Sequence, residues 1–382
     1  MTDSTKTTPV PMPWSGREVP HLTVEVNQCC NLDCHGCYKN RFNYQKTLAQ
    51  VREEIDFAIG QRNLSTLTFA GGEPTLHPDL PAMISHAARQ GVRVQVLTNA
   101  SLLTPSLLRE YKAAGLNRVA MHIDQGQSGR PDCAKDASQS EFVALRQHYI
   151  EMCVSAGVEV SPVLTLYKDA LDDFPSMLER FHLHPHVSSM LVTAYSQDLN
   201  AHESTDDGLS VTNVDVAQMM RDKLGAAPSW CVPSTHDDHS YRWLFYTTAV
   251  TVGKDGRATK LDLDASNRLA LKLLPKLDRL ANGKYTYEET SPPLVAAFMC
   301  GLYGLSSLSP KKALQTGRFL ATALRNRNLK IFGIVFQQAP NALANGDYEH
   351  CRDCPDATVR NGKLVPVCLV DKLEPLSCTP RA

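Results

Sequence analysis

Apolar and β-branched residues alternate with polar ones from His21 to Val26, a period of two that predicts the first strand. The beat then lengthens. Leu48, Val51, Ile55, Ala58 and Ile59 recur at helical spacing, and Gly60 stands where a C-terminal cap belongs. A buried strand is expected over Thr66 to Ala70, a helix ending at Gly91, and a strand over Arg93 to Leu97. Thr104-Pro105 opens the next helix and Gly115 closes it, ahead of a strand from Arg118 to Ile123. A helix over Phe142 to Ala156, a strand Glu159 to Leu166, a helix Phe174 to Phe181 and a strand Met190 to Tyr195 complete six strand-helix units.

Such alternation with short connections implies a parallel sheet with right-handed crossovers, whose ligands collect at the carboxyl ends of the strands. Six units predict an α/β fold, a partial (β/α)6 barrel rather than a full eight-unit one. A helix over Val211 to Leu224 is expected to end this domain near Gly225. The division predicted is a lead-in over 1–18, a barrel over 19–225 and a smaller α+β domain over 226–382. In that last part Leu244 to Val252 and Arg257 to Leu263 flank Lys254-Asp255-Gly256 as a hairpin, and helices are expected over 266–282, 293–306 and 310–326.

Charge narrows the possible partners. Thirty-nine Lys and Arg against 40 Asp and Glu, without a basic run able to track a phosphate backbone, argue against nucleic acid. The start, MTDSTKTTPVPMPW, lacks the apolar core of a signal peptide, and no apolar run is long enough to span a membrane. A cytoplasmic protein without a membrane span is expected. In a reducing compartment twelve cysteines point to metal binding rather than disulfides.

Their spacing supports that. Cys30-Asn-Leu-Asp-Cys34-His-Gly-Cys37 follows directly on the first strand, so its thiolates sit at the ligand-binding edge. A cubane cluster takes four thiolates, so three leave one iron open unless Cys29 joins; the same loop completed by His35 would suit zinc. Gly71-Gly72-Glu73-Pro74 follows the second strand, where a doubled glycine lets the backbone approach a ligand closely. Thr98-Asn99-Ala100 ends the third strand and His122-Ile123-Asp124 the fourth, with Thr165 and Arg130 near the same face. A guanidinium there matches a ligand carboxylate. Near the C-terminus Cys351 and Cys354 are followed by Asn361-Gly362, a type I′ hairpin signal that returns Cys368 towards them, with Cys378 ten residues on. Iron-sulfur and zinc-ribbon readings both suit this group. Cys378 is the nearest fourth ligand, with Cys300 and Cys231 as substitutes, while Cys133, Cys153, Cys231 and Cys300 otherwise read as packed thiols.

The three-cysteine loop, the Gly-Gly-Glu-Pro stretch one strand later and the Thr-Asn pair after the third strand together resemble the radical S-adenosylmethionine (SAM) superfamily, over residues 21 to about 225. That resemblance implies a 4Fe-4S cluster on Cys30, Cys34 and Cys37, with SAM held on the open iron. Gly71, Gly72, Glu73 and Pro74 would hold its amino group, Thr98 and Asn99 its ribose and carboxylate, and His122, Asp124 and Arg130 would touch SAM or substrate. The family usually has an aromatic residue before the third cysteine; here that residue is Gly36, and Tyr38 is the nearest ring. The C-terminal cysteines resemble the SPASM and twitch auxiliary domains. Without the seven-cysteine SPASM pattern, Cys351, Cys354, Cys368 and Cys378 imply one further 4Fe-4S cluster.

The implied reaction is reductive cleavage of SAM to a 5′-deoxyadenosyl radical, which takes hydrogen from an unactivated carbon of a small molecule, lipid or peptide. Oxidative modification, epimerisation or carbon-carbon bond formation would follow, with a flavodoxin- or ferredoxin-type electron donor. Cys300, in the apolar stretch Phe298-Met299-Cys300-Gly301, is the candidate hydrogen donor to a substrate radical. The rival classes are a non-catalytic iron-sulfur or zinc protein and a radical SAM methyltransferase.

Overall fold

The computed structural model describes residues 8–39, 43–134, 137, 139–197, 208–287 and 290–376. Cys378 lies outside the described residues. Six parallel strands follow the expected rhythm: β1 (His21–Asn27), β2 (Thr66–Gly71), β3 (Arg93–Thr98), β4 (Leu116–His122), β5 (Glu159–Leu166) and β6 (Ser189–Ala194). Helices α1 (Leu48–Gln61), α2 (Leu80–Arg89), α3 (Pro105–Ala114), α4 (Gln139–Ser155) and α5 (Phe174–Leu183) carry the chain between them, and α6 (Asn213–Leu224) follows β6. Thr47 and Gln50 close a reciprocal capping box at the start of α1, and Thr104 accepts from Leu107 N at the start of α3.

The parallel pairing is specified by apolar residues that fall in register. Val24 pairs with Phe69, Phe69 with Val96, Val96 with Val119 and Val119 with Val160, giving one buried row across five strands. A slip of one residue would turn every member of that row to the opposite face.

The sheet does not stop at β6. A seventh parallel strand, unexpected from the sequence, comes from far downstream and pairs with β6 from Gly333↔Ser189 to Gln338↔Ala194. Between β6 and it in the chain lie β7 (Trp230–Pro233), β8 (Tyr241–Val252) and β9 (Ala258–Asp262), then α7 (Arg268–Asn282), α8 (Pro293–Ser306) and α9 (Pro310–Asn326). The seventh parallel strand is β10 (Lys330–Gln338), with β8 antiparallel beside it and β7 beyond. The expected β8–β9 hairpin forms, and β7 begins a few residues past the expected domain end at Gly225.

Alternation along β8 divides two cores. Leu244 and Tyr246 belong to the main core with α6, whereas Trp243 and Phe245 join a second core with α7, α8 and α9. Finally β11 (Ala357–Arg360) and β12 (Lys363–Pro366) form a hairpin whose turn residues, Asn361 at φ 53° and Gly362 at φ 68°, both take the left-handed conformation that a type I′ turn requires. It packs along β1, the edge strand of the parallel sheet.

Candidate functional site

Everything of chemical interest gathers at the carboxyl ends of the parallel strands. The loop after β1 carries Cys30, Cys34 and Cys37, and is braced where Asp33 and Cys34 pair in antiparallel fashion with Ser128 and Gln127 from the segment after β4. All three cysteines line one cavity, and so do Cys351, Cys354 and Cys368 from the other end of the chain. Of the adjacent pair, Cys29 turns aside: its thiol approaches Tyr44 O at 3.7 Å, and it is absent from the cavity wall. His35 packs instead in an aromatic group, 5.4 Å from Tyr195 and 5.8 Å from Tyr167, ring centre to ring centre. Among the described residues no three His, Cys, Asp or Glu side chains are gathered as a site for a single ion.

Gly71 and Gly72 answer to the protein before any ligand. A Cβ on Gly72 would stand 2.0 Å from Cys29 O, and one on Gly71 2.2 Å from Asn27 O, so the bare backbone is what lets this loop lie against the cysteine loop. Glu73 N then donates to Cys29 O at 2.7 Å. The Glu73 carboxylate, buried, accepts from Thr75 N and Oγ1, from Thr98 Oγ1 at 2.7 Å and from Asn99 N at 2.8 Å, tying the ends of β2 and β3 together. Burial pushes its pKa upward, only partly countered by these donors. Pro74 begins the short helical turn behind it and does not reach the cavity wall.

His122 and Asp124 form a compact unit. His122 Nε2 lies 2.6 Å from Asp124 Oδ2 and 3.1 Å from Thr165 Oγ1, while Thr165 N and Gly126 N donate to the same carboxylate. Burial raises the Asp124 pKa, but His122 and the Thr165 donors outweigh it and bring it down to about 2. Arg130 is placed otherwise than a ligand contact would need. Its fork is occupied bidentately by Asp132 at 3.0 and 2.9 Å, its Nη1 donates to Asn99 O, and it lies off the cavity wall. Its work here is to hold the Asn99 turn.

The second trio is locked to the barrel. Arg62 donates to Cys354 O at 3.0 Å and Pro355 O at 3.4 Å, and His21 Nδ1 lies 2.8 Å from Asp356 Oδ1. Tyr38, just beyond the first trio, packs with Cys368, Ala339 and Leu369. The Cys351 thiol is pushed well up, by its hydrogen bond with Cys354 first, then by burial. Working against that is Arg242, 1% exposed, whose Nη1 reaches Glu349 Oε2 at 3.4 Å while its buried Nε and Nη2 meet no hydrogen-bond partner. A buried cation so weakly compensated suits an anionic neighbour better than neutral thiols.

Cys300 does not reach the cavity. It is fully buried in the second core, and burial pushes its thiol up to about 12. Cys231 lies in the main core and is raised to about 12 in the same way. Sequence reasoning passed over Tyr167, Tyr195, Trp243, Gln337 and Gln338, which complete the cavity wall. Tyr167 and Tyr195 follow the ends of β5 and β6, and that placement was the available signal.

A parallel barrel with a three-cysteine loop after its first strand, and further polar turns at the same sheet end after the next three, gathers these residues around one cavity. Residues 24–180 match the family model of the Radical SAM superfamily, so this chain carries a Radical SAM domain. A domain of that family implies a 4Fe-4S cluster and SAM. Relatives include an Fe-coproporphyrin III synthase of Methanosarcina barkeri, 26% identical over 42% of this chain and 40% of the relative. An S-adenosylmethionine-dependent nucleotide dehydratase of Selenomonas ruminantium is 30% identical over 27% of this chain and 38% of its own. A mycofactocin maturase of Mycobacterium tuberculosis is 25% identical over 42% of each chain. The chain thus spans about two fifths of the length of these relatives. The crystal structure of Streptococcus suis SuiB bound to S-adenosylmethionine superposes with a TM-score of 0.41 at 15% identity, over 54% of this chain and 47% of that one. Among the described residues no helix is long and apolar enough to cross a membrane.

Proposed function

We propose that this protein is a two-cluster radical SAM enzyme. Cys30, Cys34 and Cys37 hold the SAM-binding 4Fe-4S cluster, and Cys351, Cys354 and Cys368 hold a second one, with Cys378 as the candidate fourth ligand. The observation that carries this reading is the single cavity onto which six cysteines from the two ends of the chain open. The residues suit the groups: three thiols on a braced loop leave a coordination site for SAM, and Arg242 supplies a buried countercharge beside the second trio. In this division residues 19–225 form the SAM barrel and 226–382 the auxiliary unit.

Cys30, Cys34 and Cys37 would hold the first cluster, which, once reduced by a flavodoxin- or ferredoxin-type donor, would supply the one-electron chemistry for cleavage of SAM to methionine and a 5′-deoxyadenosyl radical. The protein's own part is to orient and exclude. Glu73, Thr98 and Asn99 keep the SAM-facing turns rigid, His122 and Asp124 present a fixed polar edge, and Trp243 with Leu191 and Val163 gives the remaining wall its apolar character. The substrate, a small molecule, lipid or peptide, offers an unactivated C–H bond within this cavity. Among the described residues every cysteine on the wall belongs to one of the two trios. That favours oxidative modification or carbon-carbon bond formation over epimerisation by a cysteine donor.

The test is SAM turnover by the anaerobically reconstituted, reduced full chain, followed by chromatography of 5′-deoxyadenosine and methionine. Wild type is expected to release both, and Cys34→Ala neither. Iron and sulfide of about eight each per chain are expected for two cubanes. A fully loaded, reduced wild type that leaves SAM intact would return the protein to the electron-carrier class.

A further inference from the structure

From the surface formed by α7, α8 and α9 we infer that this protein docks on an anionic phospholipid bilayer, with α8 lying in the interface. The inference goes beyond the redox reading and does not depend on it. All three helices bury one face in the second core, through Leu271 and Leu274, Cys300 and Tyr303, and Phe319 and Leu320. Their opposite faces therefore form one outward layer, with α8 packed against both of the others.

On α8 that outward face is apolar. Leu294, Phe298, Leu305 and Leu308 follow a helical repeat from α8 into the turn after it, and are 86, 57, 76 and 91% exposed. No charged residue occurs from Pro292 to Ser309. Large side chains this exposed, on one side of one helix, mark a surface that water does not ordinarily keep. Leu280 on α7 and Leu324 on α9 are likewise 80 and 81% exposed.

Charge identifies the occupant. Residues 268–328 hold ten Lys and Arg against three Asp and Glu, whereas the remaining chain holds 29 against 37. Six of the ten, Lys272, Lys276, Lys311, Arg318, Arg325 and Arg327, are exposed and make no ion pair among the described residues. Protruding apolar side chains flanked by unpaired cations match a bilayer whose headgroups are anionic and whose acyl region begins just beneath. They lie on the surface rather than span it, since no described helix is long and apolar enough to cross.

The experiment is flotation of the loaded full chain with vesicles of phosphatidylcholine alone and of an equal mixture with phosphatidylglycerol, at low and high salt. Flotation with the anionic vesicles only, reversed by salt, is expected. Phe298→Glu with Leu305→Glu should lower the floated fraction about tenfold or more, and so should Lys311→Glu with Arg318→Glu, on a separate helix. Failure of wild type to float with anionic vesicles overturns the inference, as does flotation unchanged in either double variant. A wild-type dimer in sedimentation that Phe298→Glu with Leu305→Glu turns to monomer, without loss of flotation, would assign the face to a second copy.

Discussion

Arg360, at the end of the first strand of the C-terminal hairpin, places Nη2 2.8 Å from Oε2 of Glu25 on β1, and both side chains are almost wholly buried. Lys39, two residues past Cys37, reaches Glu25 at 2.5 Å and Asp371 at 2.9 Å; Asp371 in turn lies 3.5 Å from Arg360. Four charges thus join the first cysteine loop, the edge strand and the segment that follows Cys368. Removing one member leaves an uncompensated charge in the interior. Arg360→Ala should cost about 3–5 kcal/mol in chemical denaturation and lose iron from the second site first. An unchanged midpoint would mean that the hairpin is held by packing alone.

Gly72→Ala tests the seam between the two turns. The new Cβ would meet Cys29 O at 2.0 Å, and a backbone atom cannot step aside as a flexible side chain can. Destabilisation of about 2 kcal/mol or more is expected, with reduced iron at the first site. Gly60→Ala, inside α1 where a Cβ meets nothing within 4 Å, is the control and should be as stable as wild type or slightly more so.

Asp124 makes stability depend on acid in a defined direction. Its folded pKa is depressed from 3.8 to about 2, so the stabilisation is complete above the ordinary aspartate range and disappears as pH falls through about 2. In Asp124→Asn the stability lost between those two values should shrink. Denaturation profiles of the two proteins that fall in parallel through this window would show that the His122–Asp124 unit contributes nothing to acid sensitivity.

If the proposed second cluster is bound at Cys351, Cys354 and Cys368, Arg242 is expected to hold up its potential, since a buried cation favours the more negative reduced state. In Arg242→Gln an EPR-monitored titration should move the midpoint of that cluster to a more negative value. The first cluster should be unaffected. Glu349→Gln removes the acid that partly offsets Arg242 and should shift the second midpoint the other way. Equal potentials in all three proteins would leave Arg242 a packing residue.

Local patterns decided much of this protein. The two-to-helical rhythm marked the six parallel strands β1 to β6, because alternating and helical burial leave their periods in the order of residues. Asn361-Gly362 announced the hairpin, because few residue pairs accept two consecutive positive φ angles. The spacing of Cys30, Cys34 and Cys37 likewise pointed to the superfamily from a single loop.

Tertiary packing alone decided the rest. β10 reads in isolation as one more apolar run; its place beside β6 depends on a partner strand some 140 residues earlier, and no local period encodes that. The separation of Cys29 from Cys30 and the withdrawal of Cys300 into a core depend on which way a helix or loop faces after folding. Arg130 shows the same limit: a guanidinium apt for a ligand carboxylate found Asp132 two residues away. That six cysteines share one cavity follows from the salt-bridged hairpin along β1, a contact between the two ends of the chain that composition and spacing do not carry.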